Sequence, residues 1–143
     1  MKRSEEVRRI LSLSTEELVR EAHGQLKLFE TLDEVYDFLA EEMVNEFEKA
    51  AKGDHIVSFI MPVGPTQPYR LMAEKINYRS LSLKNVRFFF MDEYVDDEKD
   101  ELIPMTSPLS FRGQIGPLLF NRIRPELMMP KEQIIFPTPE NIK

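Results

Sequence analysis

Cysteine is absent from this chain, and no apolar run approaches the length of a membrane span. Without cysteine there is no disulfide, no thiolate metal site and no cysteine nucleophile. That fits a reducing compartment, and the cytoplasm is the expected location. The first residues, MKRSEEVRR, are charged throughout, with no apolar run behind them, so no secretory signal is expected. Positive charge is in deficit: 19 Lys and Arg against 25 Asp and Glu give a net charge of −6. An acidic chain is repelled by a phosphate backbone, which excludes general nucleic-acid binding. The only histidines, His23 and His55, have no metal-ligating partner at usable spacing. No metal or cofactor is therefore expected. There is no internal repeat and no low-complexity segment.

What remains is an ordinary globular composition over 143 residues, 42% hydrophobic and 31% charged, enough for one domain with a real core. Ser4 to Leu13 reads as a short helix with Ser4 as its N-cap. Ser14 and Glu17 form a capping box for a second helix that Gly24 stops. These two helices form an N-terminal arm, residues 1–24, expected to pack on the main body (25–143) or on a partner subunit. Leu26 and Leu28 alternate with polar residues, a short-strand pattern. Thr31 and Glu34 make a second capping box, and Leu32, Val35, Leu39, Met43 and Phe47 recur at helical spacing to about Ala51.

Two continuous apolar runs follow, His55–Met61 and Val86–Met91. Such runs mark strands buried on both faces of a parallel sheet. A Gly/Pro-bearing loop at 62–68 and a helix from Tyr69 to Asn77 separate them. Residues 96–108 are polar and irregular, 107–122 read as a helix weakened by Gly113, Gly116 and Pro117, and Ile134 to Phe136 make a last strand. The alternation predicts an α/β fold: an open, mainly parallel sheet with helices on both faces, Rossmann-like.

In such folds ligands bind outside the carboxyl ends of the strands. Two strand ends qualify. The loop at 62–68 leads into a helix N-terminus, a favourable place for an anion; Gly64 admits close approach and Thr66 adds a hydroxyl, whereas Pro65 and Pro68 donate nothing. At the other end stand Asp92 and Glu93, adjacent carboxylates that point to opposite sides. One of them facing a partly dry cleft could act as a general base on a carbon beside a carbonyl. Solvated loop acids are the competing explanation. The acidic run from Asp96 to Glu101 lacks the glycine and terminal glutamate of a calcium loop.

Several ordered stretches resemble the glucosamine-6-phosphate deaminase/isomerase family. LFETLDEVYDFLAEEM is similar to its first strand and helix, MPVGPTQPYRLM to its phosphate loop, and NVRFFFMDEYV to its V-x-F-x-M-D-E-Y strand end. SPLSFRGQIGPLLFNRI and QIIFPTPEN resemble the following helix and strand. The resemblance covers about four-fifths of the chain, and its ordered set of motifs is more specific than any one of them. It implies ring opening, aldose–ketose isomerisation and, in the deaminase proper, loss of ammonia. On this resemblance Asp92 is the enolising base, Glu93 and Tyr94 flank it at the substrate, and Gly64 and Thr66 belong to the phosphate loop.

The sequence departs from the family in the loop, with Pro65 in place of a second glycine and Val63 in place of a threonine or serine. The family's later G-x-G-x-D-G-H-I-A-F-N-E-P segment, which carries its ring-opening histidine, is not among these 143 residues. The resemblance thus implies a sugar phosphate as ligand, a homo-oligomer, and a chain that holds the N-terminal part of a truncated enzyme domain. Two alternatives stand beside it. One is a non-catalytic sugar-phosphate sensor, although residues 1–25 contain no basic recognition helix. The other is a hydrolase of the 6-phosphogluconolactonase type, in which D-E-R stands where this chain has D-E-Y.

Overall fold

A computed structural model describes residues 2–138 of the chain. It separates into two compact units, Met1–Glu34 and Val35–Lys143. The first holds helices α1 (Arg3–Leu11) and α2 (Thr15–Glu21). Lys2, not Ser4, caps α1, because Glu5 reaches back to the Lys2 amide and so sets the helix start two residues earlier. The predicted box on α2 forms in full: the Glu17 amide donates to Ser14 Oγ, and the Ser14 amide donates to the Glu17 carboxylate. His23 and Gly24 then take left-handed conformations that end the helical course. The strand expected at Leu26–Leu28 does not form. Three alternating residues without a neighbouring strand have nothing to complete a ladder, and both leucines are exposed.

Helix α3 (Leu32–Lys52) leads into the larger unit. Only half of its predicted capping box is present. The Glu34 amide donates to Thr31 Oγ1, but the Glu34 carboxylate accepts from the Glu30 amide instead of that of Thr31. Ala40, Val44, Phe47 and Ala50 fall on one stripe of α3 and are buried. Strand β1 (Val57–Met61), helix α4 (Gln67–Arg79) and strand β2 (Val86–Phe90) then form a parallel β-α-β unit. The short strand β5 (Ile134–Ile135) joins the far side of β2, also parallel, giving the order β1-β2-β5. Buried Gln133 fixes this last pairing by donating to the carbonyls of Val86 and Lys84. The chain is therefore α/β, a parallel three-stranded sheet flanked by helices.

The two faces of the sheet differ. Register pairs Val57 with Val86, Phe59 with Phe88 and Met61 with Phe90, so these side chains share one face. Phe47 of α3 meets Phe59 edge-on at 4.9 Å and Phe88 at 5.4 Å, and Phe120 stacks on Phe88 at 6.4 Å. On the other face Ile60 is 74% exposed and Phe89 37%. The expectation that both runs are buried on both faces is corrected here: the strands alternate, and the apolar run hides the alternation because both faces carry apolar residues. Lys75 pairs with Asp37 and Glu41, while Arg79 bonds Glu41 and Asn45, so charged side chains tie α3 to α4.

Between β2 and β5 the polar stretch contains a hairpin that periodicity missed, β3 (Val95–Asp96) against β4 (Glu101–Leu102), with Asp100 in the left-handed region at its turn. The helix expected over 107–122 is shorter. It runs as α5 (Phe111–Leu118), because Ser110 caps it by accepting from the Gly113 amide, and a separate 3-10 turn covers Phe120–Arg122. Among the described residues no helix is long and apolar enough to cross a membrane.

Candidate functional site

β1 and β2 are parallel neighbours and end together: Met61 pairs with Phe90, and the Met91 amide donates to the Met61 carbonyl at 3.0 Å. The loop after Met61 and the acidic segment after Phe90 therefore leave the sheet side by side at its carboxyl edge. Both predicted strand ends meet there, where an open α/β sheet offers a ligand crevice.

The two carboxylates have opposite fates. The Glu93 side chain is 0% exposed, and its oxygens accept five hydrogen bonds. Oε1 takes the amides of Tyr94 (2.9 Å) and Phe111 (3.0 Å). Oε2 takes Ser110 Oγ (3.1 Å), the Arg112 amide (2.8 Å) and Arg112 Nε (3.0 Å). Glu93 thus docks the end of β2 on the N-terminus of α5, where unpaired amides and the helix dipole favour an anion. Arg112 carries the link onward, donating through Nη2 to the Ile103 carbonyl at 2.6 Å. With every lone-pair direction occupied, Glu93 has none left for a substrate.

Asp92, one residue earlier, is exposed and accepts no hydrogen bond among the described residues. Burial pushes the Glu93 carboxyl up, but the amides of Arg112, Tyr94 and Phe111 and the Arg112 guanidinium more than offset this and hold it below its ordinary value of 4.5. The folded state thus binds this proton less readily than the unfolded chain does. The stability it contributes is present above about pH 4.5 and is lost as pH falls through the lower folded value. Urea midpoints measured from pH 7 down to pH 3 are expected to fall across this window, and Glu93→Gln is expected to remove part of that slope.

Tyr69 is the group that sequence reasoning overlooked, taking it only as the start of a helix. It lies in the first turn of α4, is buried, and faces the same edge. Burial and the nearby charge of Asp92 push its phenol up to about 12, so it is a neutral hydrogen-bond donor at physiological pH. The available signal was its position directly after the strand-end loop. Tyr69 lines a cleft of about 140 Å3 with Met61, Pro62, Pro65, Pro68 and Met72, and the walls are largely apolar.

The loop itself is less of a phosphate cradle than its spacing suggests. Val63 is buried in the core. Thr66 stands at the N-cap of α4 with its hydroxyl free of any capping bond. Gly64 is exposed, with open space where a side chain would stand, so a ligand could reach its backbone. Pro68 removes one donor from the first turn. Tyr94 is half-exposed, its ring 5.4 Å from that of Phe111, and its carbonyl accepts from the Ile103 amide. A larger hollow, about 500 Å3 between Glu48, Lys52 and Arg79, lies at the opposite end of the sheet, before the strands begin.

Gly113, which follows Arg112 in α5, has no room for a side chain. A Cβ there would overlap the Met105 carbonyl oxygen and sit 3.1 Å from its carbon. Alanine normally favours a helix over glycine by about 1 kcal/mol. Overlap with a backbone group costs about 1–3 kcal/mol or more, so Gly113→Ala is expected to lose stability, read as a lower urea midpoint.

His23 and His55 are both exposed, and among the described residues no cluster of acids and histidines could hold a metal.

The fold is similar to that in the crystal structure of devB protein, with a TM-score of 0.57 and 21% identity over 80% of this chain and 43% of that one. The chain thus spans less than half the length of that structure, and the likeness is one of fold. No protein-family model and no curated protein matches the sequence.

Proposed function

We propose that this chain carries the enolisation half of a sugar-phosphate isomerase or deaminase site, with Asp92 as the general base. One observation carries the reading. Of two adjacent carboxylates at the ligand edge of the sheet, Glu93 is fully spent on hydrogen bonds, and Asp92 is held beside it with none. The resemblance of NVRFFFMDEYV to the deaminase strand end supports the same assignment.

In this reading Asp92 takes a proton from the carbon next to a sugar carbonyl. The C–H electron pair becomes a C=C bond, and the carbonyl oxygen takes up the negative charge. A proton then passes from the neighbouring hydroxyl to that oxygen. Return of the abstracted proton to the former carbonyl carbon leaves the new carbonyl on the carbon that first lost its proton, completing an aldose–ketose exchange. The Tyr69 phenol, neutral and within the field of the Asp92 charge, would donate to that oxygen. Gly64 and Thr66 would hold the phosphate, and Tyr94 would flank the sugar. The whole enzyme's substrate, and its assembly as a homo-oligomer, belong to the same proposal.

A second reading, a sugar-phosphate sensor without turnover, is favoured by Pro65 and Pro68 in the loop, which leave fewer backbone donors to orient a phosphate for chemistry. Calorimetric titration with glucosamine 6-phosphate and fructose 6-phosphate tests both. Saturable binding weakened by Thr66→Val supports the shared site; no heat with either sugar argues against both readings.

A further inference from the structure

We infer that Glu93 is the positioning residue of this site, clamping the strand end so that the backbone carrying Asp92 is held in place at the carboxyl edge of the sheet. The inference rests on the assignment of Asp92 as the base.

Glu93 and Asp92 are consecutive residues just beyond the end of β2, so fixing Glu93 also fixes the backbone that carries Asp92. Glu93 is fixed from three directions: by the amides that open α5, by the Ser110 hydroxyl, and by Arg112. Arg112 is itself fixed to the Ile103 carbonyl, beyond the β3–β4 hairpin. The Tyr94 amide closes the ring from the other side. The β2 end, the segment after β4 and the start of α5 thus converge on one buried carboxylate. A base on an otherwise exposed loop needs such support, because small misplacements of a reacting group cost orders of magnitude in rate. Glutamine cannot replace Glu93, since Oε2 accepts from three donors and an amide nitrogen there would face N–H groups.

The test is deuterium wash-in at C1 of fructose 6-phosphate in heavy water, followed by proton NMR. Its open-chain keto form is present in solution, so no ring-opening group is required. Rates are normalised to the folded fraction, and wild type, Glu93→Gln and Arg112→Gln are compared. The inference predicts a fall in maximal exchange rate of about 100-fold for Glu93→Gln and about 10-fold for Arg112→Gln, with KM within about threefold of wild type. A merely structural role would lower the melting temperature and leave the rate per folded molecule unchanged. That result, in whichever variant folds, overturns the inference while Asp92 keeps its role. Absence of exchange in the wild type removes the base assignment and this inference with it.

Discussion

Phe88→Ala is expected to destabilise the chain by about 3–5 kcal/mol, the usual cost of deleting a large buried aromatic ring. Phe88 is fully buried at the centre of the sheet, with ring contacts to Phe47, Phe59, Phe90 and Phe120 between 5.4 and 6.4 Å. No single neighbour can move to fill the space, because these four rings come from four different segments. A domain of this size has roughly 5–15 kcal/mol in total, so the loss is a large share of it. Phe89→Ala is the control: its ring points to the open face, and less than about 1 kcal/mol is expected. Urea midpoints at constant slope report both. Equal shifts in the two variants would mean that the core lies on the wrong face.

Much of this architecture was legible in the residues. The runs VSFIM and VRFFF read as strands because β-branched and aromatic residues cluster there between turn signals. Ser14 read as a cap because its reciprocal partner Glu17 lies only three residues away. The failures have equally local causes. The β3–β4 hairpin is two residues wide on each side, too short for any period to register. Leu26–Leu28 had the alternation of a strand without a neighbour to bond. The end of the strands' alternation on an exposed face was hidden by Ile60 and Phe89, which are apolar although uncovered.

The site was legible to a lesser degree. Sequence placed two carboxylates on opposite sides of a strand end but could not say which was free. The donors that decide it, Ser110, Phe111 and Arg112, lie 17 to 19 residues further along the chain. Glu93, expected to flank a substrate, is instead spent on α5. Tyr69 went unnoticed because a tyrosine in a first helical turn looks like core until the nearby charge of Asp92 is seen.

Asp92→Asn carries the largest functional effect. The amide keeps the size of the side chain and loses the proton acceptor, so the rate of proton abstraction is expected to fall by roughly 10²–10⁴-fold, the contribution of a positioned general base. Stability should change little, since the Asp92 carboxylate accepts no hydrogen bond among the described residues. Binding of the sugar phosphate should also survive, because the phosphate contacts assigned to Gly64 and Thr66 lie on the neighbouring loop.

The most direct measurement is therefore deuterium wash-in at C1 of fructose 6-phosphate by wild type and Asp92→Asn, each at saturating sugar and equal folded concentration. The account predicts measurable exchange in the wild type and its loss in Asp92→Asn with binding retained. Exchange that persists unchanged in Asp92→Asn would contradict it, and would move the base to another group at the sheet edge.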